Sequence, residues 1–171
     1  MKSIALTYPV SVSLRNAKTY LFALLFTAGN VLFPLLFHAI PQGGHIFLPI
    51  FFFTLIGAFQ YGLWVGVFTA LCSPLLSHAL MGMPAGIMLP IVMAKSIILV
   101  LCARAAVRYF QKISLPVIVL AVAASQVLGF VAEWIIAGNI SQAIHDVYMG
   151  IPGMLLQIAG AYLILSVLNK K

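Results

Sequence analysis

Long apolar runs, separated by short polar or glycine-rich stretches, fill this sequence almost from end to end. Each run is close to the ~20 residues that an α-helix needs to cross the ~30 Å hydrocarbon core of a bilayer. The pattern predicts an all-α membrane protein with one domain, residues 1–171, in which six transmembrane helices follow an N-terminal segment, 1–19. The predicted spans are approximately 20–39, 44–60, 61–80, 87–109, 115–137 and 149–168.

The boundary between the second and third spans is the least marked one. Residues 46–80 form one continuous apolar run, which as a single helix would be about 50 Å long. That length far exceeds the hydrocarbon core, so the run has to turn back on itself. Gly57 and Gly62 bracket Gln60 and Tyr61, and glycine permits the backbone conformations that a tight reversal needs. We therefore predict a turn between two helices here.

Charge determines the number and direction of the spans. Only 6% of the residues are charged, against about 25% in soluble domains. Lys and Arg concentrate on the cytoplasmic side of membrane proteins, so the net charge of +7 indicates orientation rather than a nucleic-acid partner. With five spans, basic residues would fall on both faces. Six spans, with both termini cytoplasmic, place eight of the nine on one face: Lys2, Arg15, Lys18, Arg104, Arg108, Lys112, Lys170 and Lys171.

Prolines and histidines gather toward the opposite, outer face. Seven of the nine prolines map to outer loops or outer helix halves, which indicates an outward-facing cavity because broken helices often surround binding sites in membranes. The four histidines, His38, His45, His78 and His145, map to the same side. Imidazoles can ligate a metal, but no pair has the short spacing of a zinc motif. Hydrogen bonding to an organic ligand is therefore favoured, and no cofactor is predicted.

Two ionisable residues fall within predicted spans, where a charge is costly and often functional. Lys95 in the fourth span is ~10 Å below the outer surface, and Glu133 in the fifth is about one turn below it. Two interpretations stay open: a buried salt bridge that fixes helix packing, or side chains that meet charged groups on a ligand. Gln126 shares a helical face with Glu133. Gln157 in the sixth span and the polar outer loop 138–146 provide further polar groups.

Motifs for catalysis are absent from the sequence. No GxxxxGK[ST] or GxGxxG loop occurs, and the chain holds only two acidic residues. Neither a Ser-His-Asp arrangement nor HExxH can be assembled from local motifs. The chain is therefore predicted not to be an enzyme and to lack an ATPase activity of its own. Transport against a gradient would then depend on a partner or on a coupled ion.

Three stretches resemble the S components of energy-coupling-factor (ECF) transporters, the small membrane subunits that bind vitamins and other micronutrients. They are the glycine-punctuated reversal at 57–66, the Ser73-Pro-Leu-Leu-Ser77 sequence, and Met81-Gly-Met-Pro84. The resemblance spans residues 20–168 and is sharpest over 41–95. It implies a multi-pass protein of the bacterial cytoplasmic membrane that captures a small micronutrient at the outer face.

The resemblance also implies partners and a binding region. The partners are a transmembrane T component and two cytoplasmic ATPase subunits, which would carry substrate inward as the S component topples in the membrane. Family members often contact the T component through Ala-x-x-x-Ala on the first helix, where this chain has Ala23-x-x-x-Thr27. Substrate would bind under the loop at 41–45. Together with the residues above, the candidate substrate-binding set is His38, Gln42, His45, His78, Lys95, Gln126, Glu133, Trp134, His145 and Asp146.

Two other functions are compatible with a small membrane protein of this outline. One is a structural scaffold resembling the rod-shape protein D family, which would need no polar pocket. The other is a solitary ion-coupled carrier, which would want carboxylates nearer the middle of the membrane than Glu133 and Asp146. Co-purification with ATPases would distinguish the ECF subunit from both. The fourth span also departs from the resemblance, because Lys95 stands where relatives tend to carry an acidic group.

Overall fold

A computed structural model describes residues 12–34 and 49–168, so the predicted site residues His38, Gln42 and His45 lie outside the described ranges. Within these ranges the chain is all-helical and has no β-strand. A short 3-10 helix, Pro49–Phe51, precedes the second α-helix. The seven α-helices are α1 (Ala17–Leu32), α2 (Phe52–Tyr61), α3 (Leu63–Met81), α4 (Leu89–Phe110), α5 (Leu115–Ala137), α6 (Ile140–Met149) and α7 (Ile151–Leu168).

Four of these helices, α3, α4, α5 and α7, are long and apolar enough to cross a membrane. The two remaining apolar helices are shorter than the spans predicted for them. Helix α1 has 16 residues and α2 has 10, which correspond to about 24 Å and 15 Å of helix. The structure therefore has the helical and apolar character of a multi-pass membrane protein.

The predicted turn between α2 and α3 is confirmed. Helix α2 ends at Tyr61 and α3 begins at Leu63, with Gly62 between them at a φ of 103°. Side chains other than glycine rarely adopt that conformation. A Cβ atom added at Gly66 would lie 3.0 Å from the Cβ atom of Ala58. Because these residues lie four positions on either side of Gly62, their contact shows that the chain reverses there.

Helix α2 lies at the centre of the bundle. It packs against α1, α3, α4 and α7, and seven of its ten residues are buried. Glycines on two neighbouring helices permit a close approach, as small residues do at helix contacts in membranes. A Cβ atom at Gly160 of α7 would lie 2.5 Å from the ring of Phe52, and one at Gly66 of α3 would lie 2.8 Å from Val100. The core is therefore shaped by aromatic and branched side chains that fill spaces left by glycine.

A buried asparagine joins the first three helices. Asn30 of α1 donates hydrogen bonds to the Thr54 hydroxyl at 2.9 Å and to the Ser73 hydroxyl at 3.0 Å. Its side-chain oxygen accepts a bond from the backbone N–H of Phe53 at 3.0 Å. That N–H group lies in the first turn of α2 and has no acceptor within its own helix. Asn30 thus provides a hydrogen-bond acceptor for the first turn of α2 and links α2 to α1 and α3.

The segment predicted as an outer loop, 138–146, is instead mostly helical. Gly138 ends α5 in the left-handed conformation at a φ of 67°, and the Asn139 side chain caps α6 by accepting from the backbone N–H of Gln142. Asparagine favours a helix N-cap because its side chain satisfies one of the orphan N–H groups there. Helix α6 is amphipathic, with Ala143 buried on one side and Ile144 exposed on the other.

Most prolines in the described residues lie at the start of a helix or between helices rather than inside one. Pro90 and Pro152 lie in the first turns of α4 and α7, where an absent N–H group costs no hydrogen bond. Pro84 lies between α3 and α4. Among the described helices, Pro74 of α3 is the proline that occupies a helix interior. The prolines in the described residues therefore lie mostly at or between helix ends, and Pro74 is the one placed to bend a helix.

Candidate functional site

A cavity opens between α4, α5, α6, α7 and the start of α2. Its volume is about 40 Å³, which corresponds to roughly three water molecules. The cavity therefore has room for a small polar group rather than for a whole vitamin-sized molecule. The residues that line it are Phe51, Lys95, Leu99, Ser125, Gln126, Asp146, Met149 and Gln157.

The cavity contains the charged pair that the sequence singled out. Lys95 of α4 donates a hydrogen bond from Nζ to Oε2 of Glu133 on α5. The Lys95 side chain is 18% exposed, whereas that of Glu133 is 0% exposed. The stem of Lys95 lies across Gly129, where an added Cβ atom would be 3.3 Å from the lysine Cγ. Because Gly129 is one turn before Glu133, a small residue there lets the lysine reach the carboxylate.

The two interpretations of this pair are therefore not exclusive. Lys95 and Glu133 form the only salt bridge in residues 12–34 and 49–168, as the packing interpretation requires. Lys95 also lines the cavity, while Glu133 lies behind it. A group that enters the cavity can contact Lys95 directly, whereas Glu133 does not line the cavity.

Asp146 brings a second carboxyl group to the pair. It lines the cavity from α6, and its side chain interacts with that of Glu133. Helix α6 packs against α5 and α7, and the side-chain amide of Gln142 lies 3.8 Å from the sulfur of Met88 just before α4. Asp146 forms no ion pair with any of the described residues. The Lys95 ammonium is therefore paired with Glu133 alone, and Asp146 adds a second acidic group beside the pair. We call Lys95, Glu133 and Asp146 the triad.

Uncharged polar groups extend the cavity toward the middle of the bundle. Gln126 lies 11 residues before the end of α5, about 16 Å along its axis, and Gln157 lies about 9 Å into α7. Each amide can donate and accept hydrogen bonds. The Ser125 hydroxyl donates to the Val122 carbonyl at 2.7 Å, which leaves its oxygen lone pairs as acceptors. Phe51, Leu99 and Met149 supply the apolar wall.

Three of the residues predicted to bind substrate, Lys95, Gln126 and Asp146, line the cavity, and Glu133 pairs with Lys95 from behind it. The other described members of the predicted set lie elsewhere. Trp134 is 45% exposed, and His145 is exposed on α6. His78 is within hydrogen-bond distance of the Pro84 carbonyl, at 2.7 Å from its Nδ1 atom. None of these three residues lines the cavity.

Sequence reasoning missed Ser125 and the apolar wall. Ser125, Gly129 and Glu133 repeat at intervals of four residues, and all three are buried on α5. That spacing places them on one helical face. Ser125 could therefore have been identified from the sequence as lying on the same face as Glu133. No comparable signal marks Phe51, Leu99 or Met149, because apolar residues are common throughout this chain.

The predicted partner contacts also have an unexpected location. Ala23 and Thr27 are 5% and 3% exposed, so they face the interior of the bundle. The exposed face of α1 carries Leu21, Leu24 and Leu25 instead. A partner that docks on α1 without opening the bundle would contact these leucines.

No three His, Cys, Asp or Glu side chains come together as metal ligands would within residues 12–34 and 49–168. The triad contains two carboxyl groups, and its third member is an ammonium group that repels a metal ion.

Comparisons with known proteins find no match for the chain among protein-family models, curated proteins or solved structures.

Proposed function

We propose that this chain is the substrate-binding membrane subunit of an ECF-type importer, which captures a small vitamin or related micronutrient at the outer face of the bacterial cytoplasmic membrane. The observation that carries the proposal is the polar cavity with its charged triad inside a bundle of apolar helices. A structural scaffold would not need such a cavity, and charged groups within membrane helices mark ligand or ion sites more often than packing alone. The sequence resemblance to S components supplies the kind of transporter.

The proposed topology has six spans, formed by α1, α2 with the residues before it, α3, α4, α5 and α7, with both termini cytoplasmic. Two features of the structure support it. The backbone N–H of Val12 donates to the carbonyl of Tyr61 at 3.0 Å, so the segment before α1 lies at the same end of the bundle as the turn at Gly62. Arg108 and Lys112 lie where α4 ends, whereas Lys95 is about 9 Å from where it starts.

Cysteine labelling of intact cells tests this topology. The native Cys72 and Cys102 are first replaced by serine, since Cys72 is exposed. Single cysteines at positions 2, 112 and 170 should then resist a membrane-impermeant maleimide until the cells are opened. Cysteines at positions 42 and 145 should react from outside. External labelling at position 170 would contradict the six-span arrangement.

The importer assignment predicts dependence on partner subunits. Native mass spectrometry of the purified chain first identifies the small molecule that co-purifies with it. Liposomes that contain the chain alone should then show no ATPase activity and no uptake of that molecule. Uptake should appear when a T component and two ATPase subunits are added with internal ATP, and it should stop with an ATPase variant that cannot hydrolyse ATP.

The same assays distinguish the two alternative functions. Gradient-driven uptake by the chain alone would indicate a solitary ion-coupled carrier. A chain that purifies with neither a small molecule nor ATPases, and that gives no uptake with them, would indicate a scaffold. Either result would overturn the importer assignment.

A further inference from the structure

The charge balance of the cavity points to the kind of ligand that enters it. Among the described residues, the only ionic groups that meet at the cavity are the ammonium of Lys95 and the carboxyl groups of Glu133 and Asp146. The ammonium is bonded to Oε2 of Glu133, and the other oxygen of that residue, Oε1, is buried without a hydrogen-bond donor. With all three groups ionised, the triad carries one excess negative charge.

The rest of the described bundle does not balance this charge. The next basic residue on α4 is Arg104, nine residues beyond Lys95, which is about 13 Å along the helix axis. Arg108 and Lys112 lie still farther toward that end of the bundle. His145 is next to Asp146 in sequence but is exposed and does not line the cavity, and α7 brings Gln157, which carries no charge.

Two carboxyl groups that face each other repel unless a proton or another cation lies between them. A cationic ligand group would lie between them with a better match of charge, and it would donate hydrogen bonds to the Asp146 carboxylate, which lines the cavity and forms no ion pair with any described residue. Charge-assisted hydrogen bonds of this kind are the strong ones.

We infer that the ligand is a cationic molecule that inserts an ammonium or protonated nitrogen group into this cavity, where Asp146 is its direct counter-ion. The inference rests on the proposed function and specifies its substrate class. The cavity volume of about 40 Å³ fits such a head group. Phe51, Leu99 and Met149 then contact the apolar part of the ligand at the cavity wall, and Phe51 offers an aromatic ring to a nearby cation.

A set of three probes of similar size, each with one phenyl ring, tests the inference on the purified full-length chain. Benzylamine is cationic at pH 7.5, benzyl alcohol is neutral and benzoate is anionic. Thermal unfolding is followed in detergent and in phosphate buffer free of other amines. Benzylamine should raise the melting temperature in a saturable way, while benzyl alcohol and benzoate should leave it unchanged. Stabilisation by benzoate, equal stabilisation by all three probes, or no stabilisation by benzylamine would overturn the inference.

Variants at the cavity identify the counter-ion. Asp146→Asn should raise the half-saturating concentration of benzylamine by roughly 10- to 150-fold, the loss expected for one charged hydrogen bond. Asp146→Glu keeps the charge and should retain the preference for the cation, which separates loss of charge from loss of folding. His145→Gln changes the exposed neighbour and should leave binding unaltered. Undiminished benzylamine binding by a folded Asp146→Asn variant would exclude Asp146 as the counter-ion.

The result is separable from the test of the importer itself. Selective stabilisation by benzylamine without ATP-dependent uptake would count against the importer alone. Energised uptake of an anionic or neutral molecule would count against the cationic ligand alone.

Discussion

Replacing Lys95 by methionine should lower the free energy of unfolding by about 3–5 kcal/mol, the usual cost of removing one partner from a buried ion pair. The substitution keeps the length of the side chain and its packing over Gly129, so the loss would come from charge. It leaves the Glu133 carboxylate, which is 0% exposed, without its ion-pair partner. Two carboxyl groups then face each other without a cation. Equilibrium unfolding of the purified protein in mixed micelles measures the change.

The reciprocal substitution should cost less. In Glu133→Gln, Lys95 still shares the cavity with Asp146, so its charge keeps a possible partner. The double variant Lys95→Met/Glu133→Gln should recover much of the stability lost in Lys95→Met, because neither charge of the pair is then stranded. The cycle of single and double variants isolates the energy of the pair. Strictly additive single effects would show that the two side chains do not stabilise one another.

Binding separates the two roles of the pair. Lys95 lines the cavity, and its ammonium has three N–H donors, of which one is bonded to Glu133. It can therefore donate to an acceptor on the ligand while Asp146 holds the cationic group, so the double variant should fold but bind the co-purifying ligand weakly. Native mass spectrometry of this variant should show the chain without that molecule. Ligand retained at the wild-type level by the double variant would leave the pair with a packing role alone.

Replacing Asn30 by leucine is the second change with a large expected effect. The substitution removes three hydrogen bonds and leaves the backbone N–H of Phe53, in the first turn of α2, without an acceptor. A buried donor without an acceptor costs about 1–3 kcal/mol, and each lost bond adds about 1 kcal/mol. We therefore expect the protein to lose at least about 2 kcal/mol of stability, measured by the same unfolding assay.

Ser73→Ala is the matched control for Asn30. It removes one of the three hydrogen bonds but leaves the Phe53 N–H and Thr54 bonded to Asn30. Its cost should be about 0.5–1.5 kcal/mol, the net value of one ordinary hydrogen bond. Equal losses in Ser73→Ala and Asn30→Leu would mean that the start of α2 does not depend on Asn30.

Local sequence signals were sufficient for several elements. The predicted bounds of the fifth span, 115–137, coincide with those of α5, because Pro116 in the first turn and Gly138 after the last one are start and stop signals. Gly62 likewise marked the reversal between α2 and α3. These features depend on the φ angles that proline and glycine favour, so neighbouring residues along the chain determine them.

Other features depend on contacts between residues far apart in sequence. The polar segment after Gly138 looked like a loop, and its helical form follows from the Asn139 cap together with an apolar side that packs on the bundle. The approach of Asp146 to Glu133 then depends on how α6 packs against α5 and α7, with Gln142 reaching Met88 just before α4. Spacing along the chain does not fix that arrangement.

The sequence by itself indicated that the helices lie in a membrane, because charged residues are nearly absent from them. It also indicated that Lys95 and Glu133 need partners at similar depth, since an unpaired charge is costly in an apolar medium. Only the tertiary structure decided which polar groups share a cavity. Ser125 and Gln157 joined it, while His78 turned to the Pro84 carbonyl. In an apolar medium a polar group has to find a hydrogen-bond partner within the protein. Helix packing, which brings distant residues together, decides which partner that is.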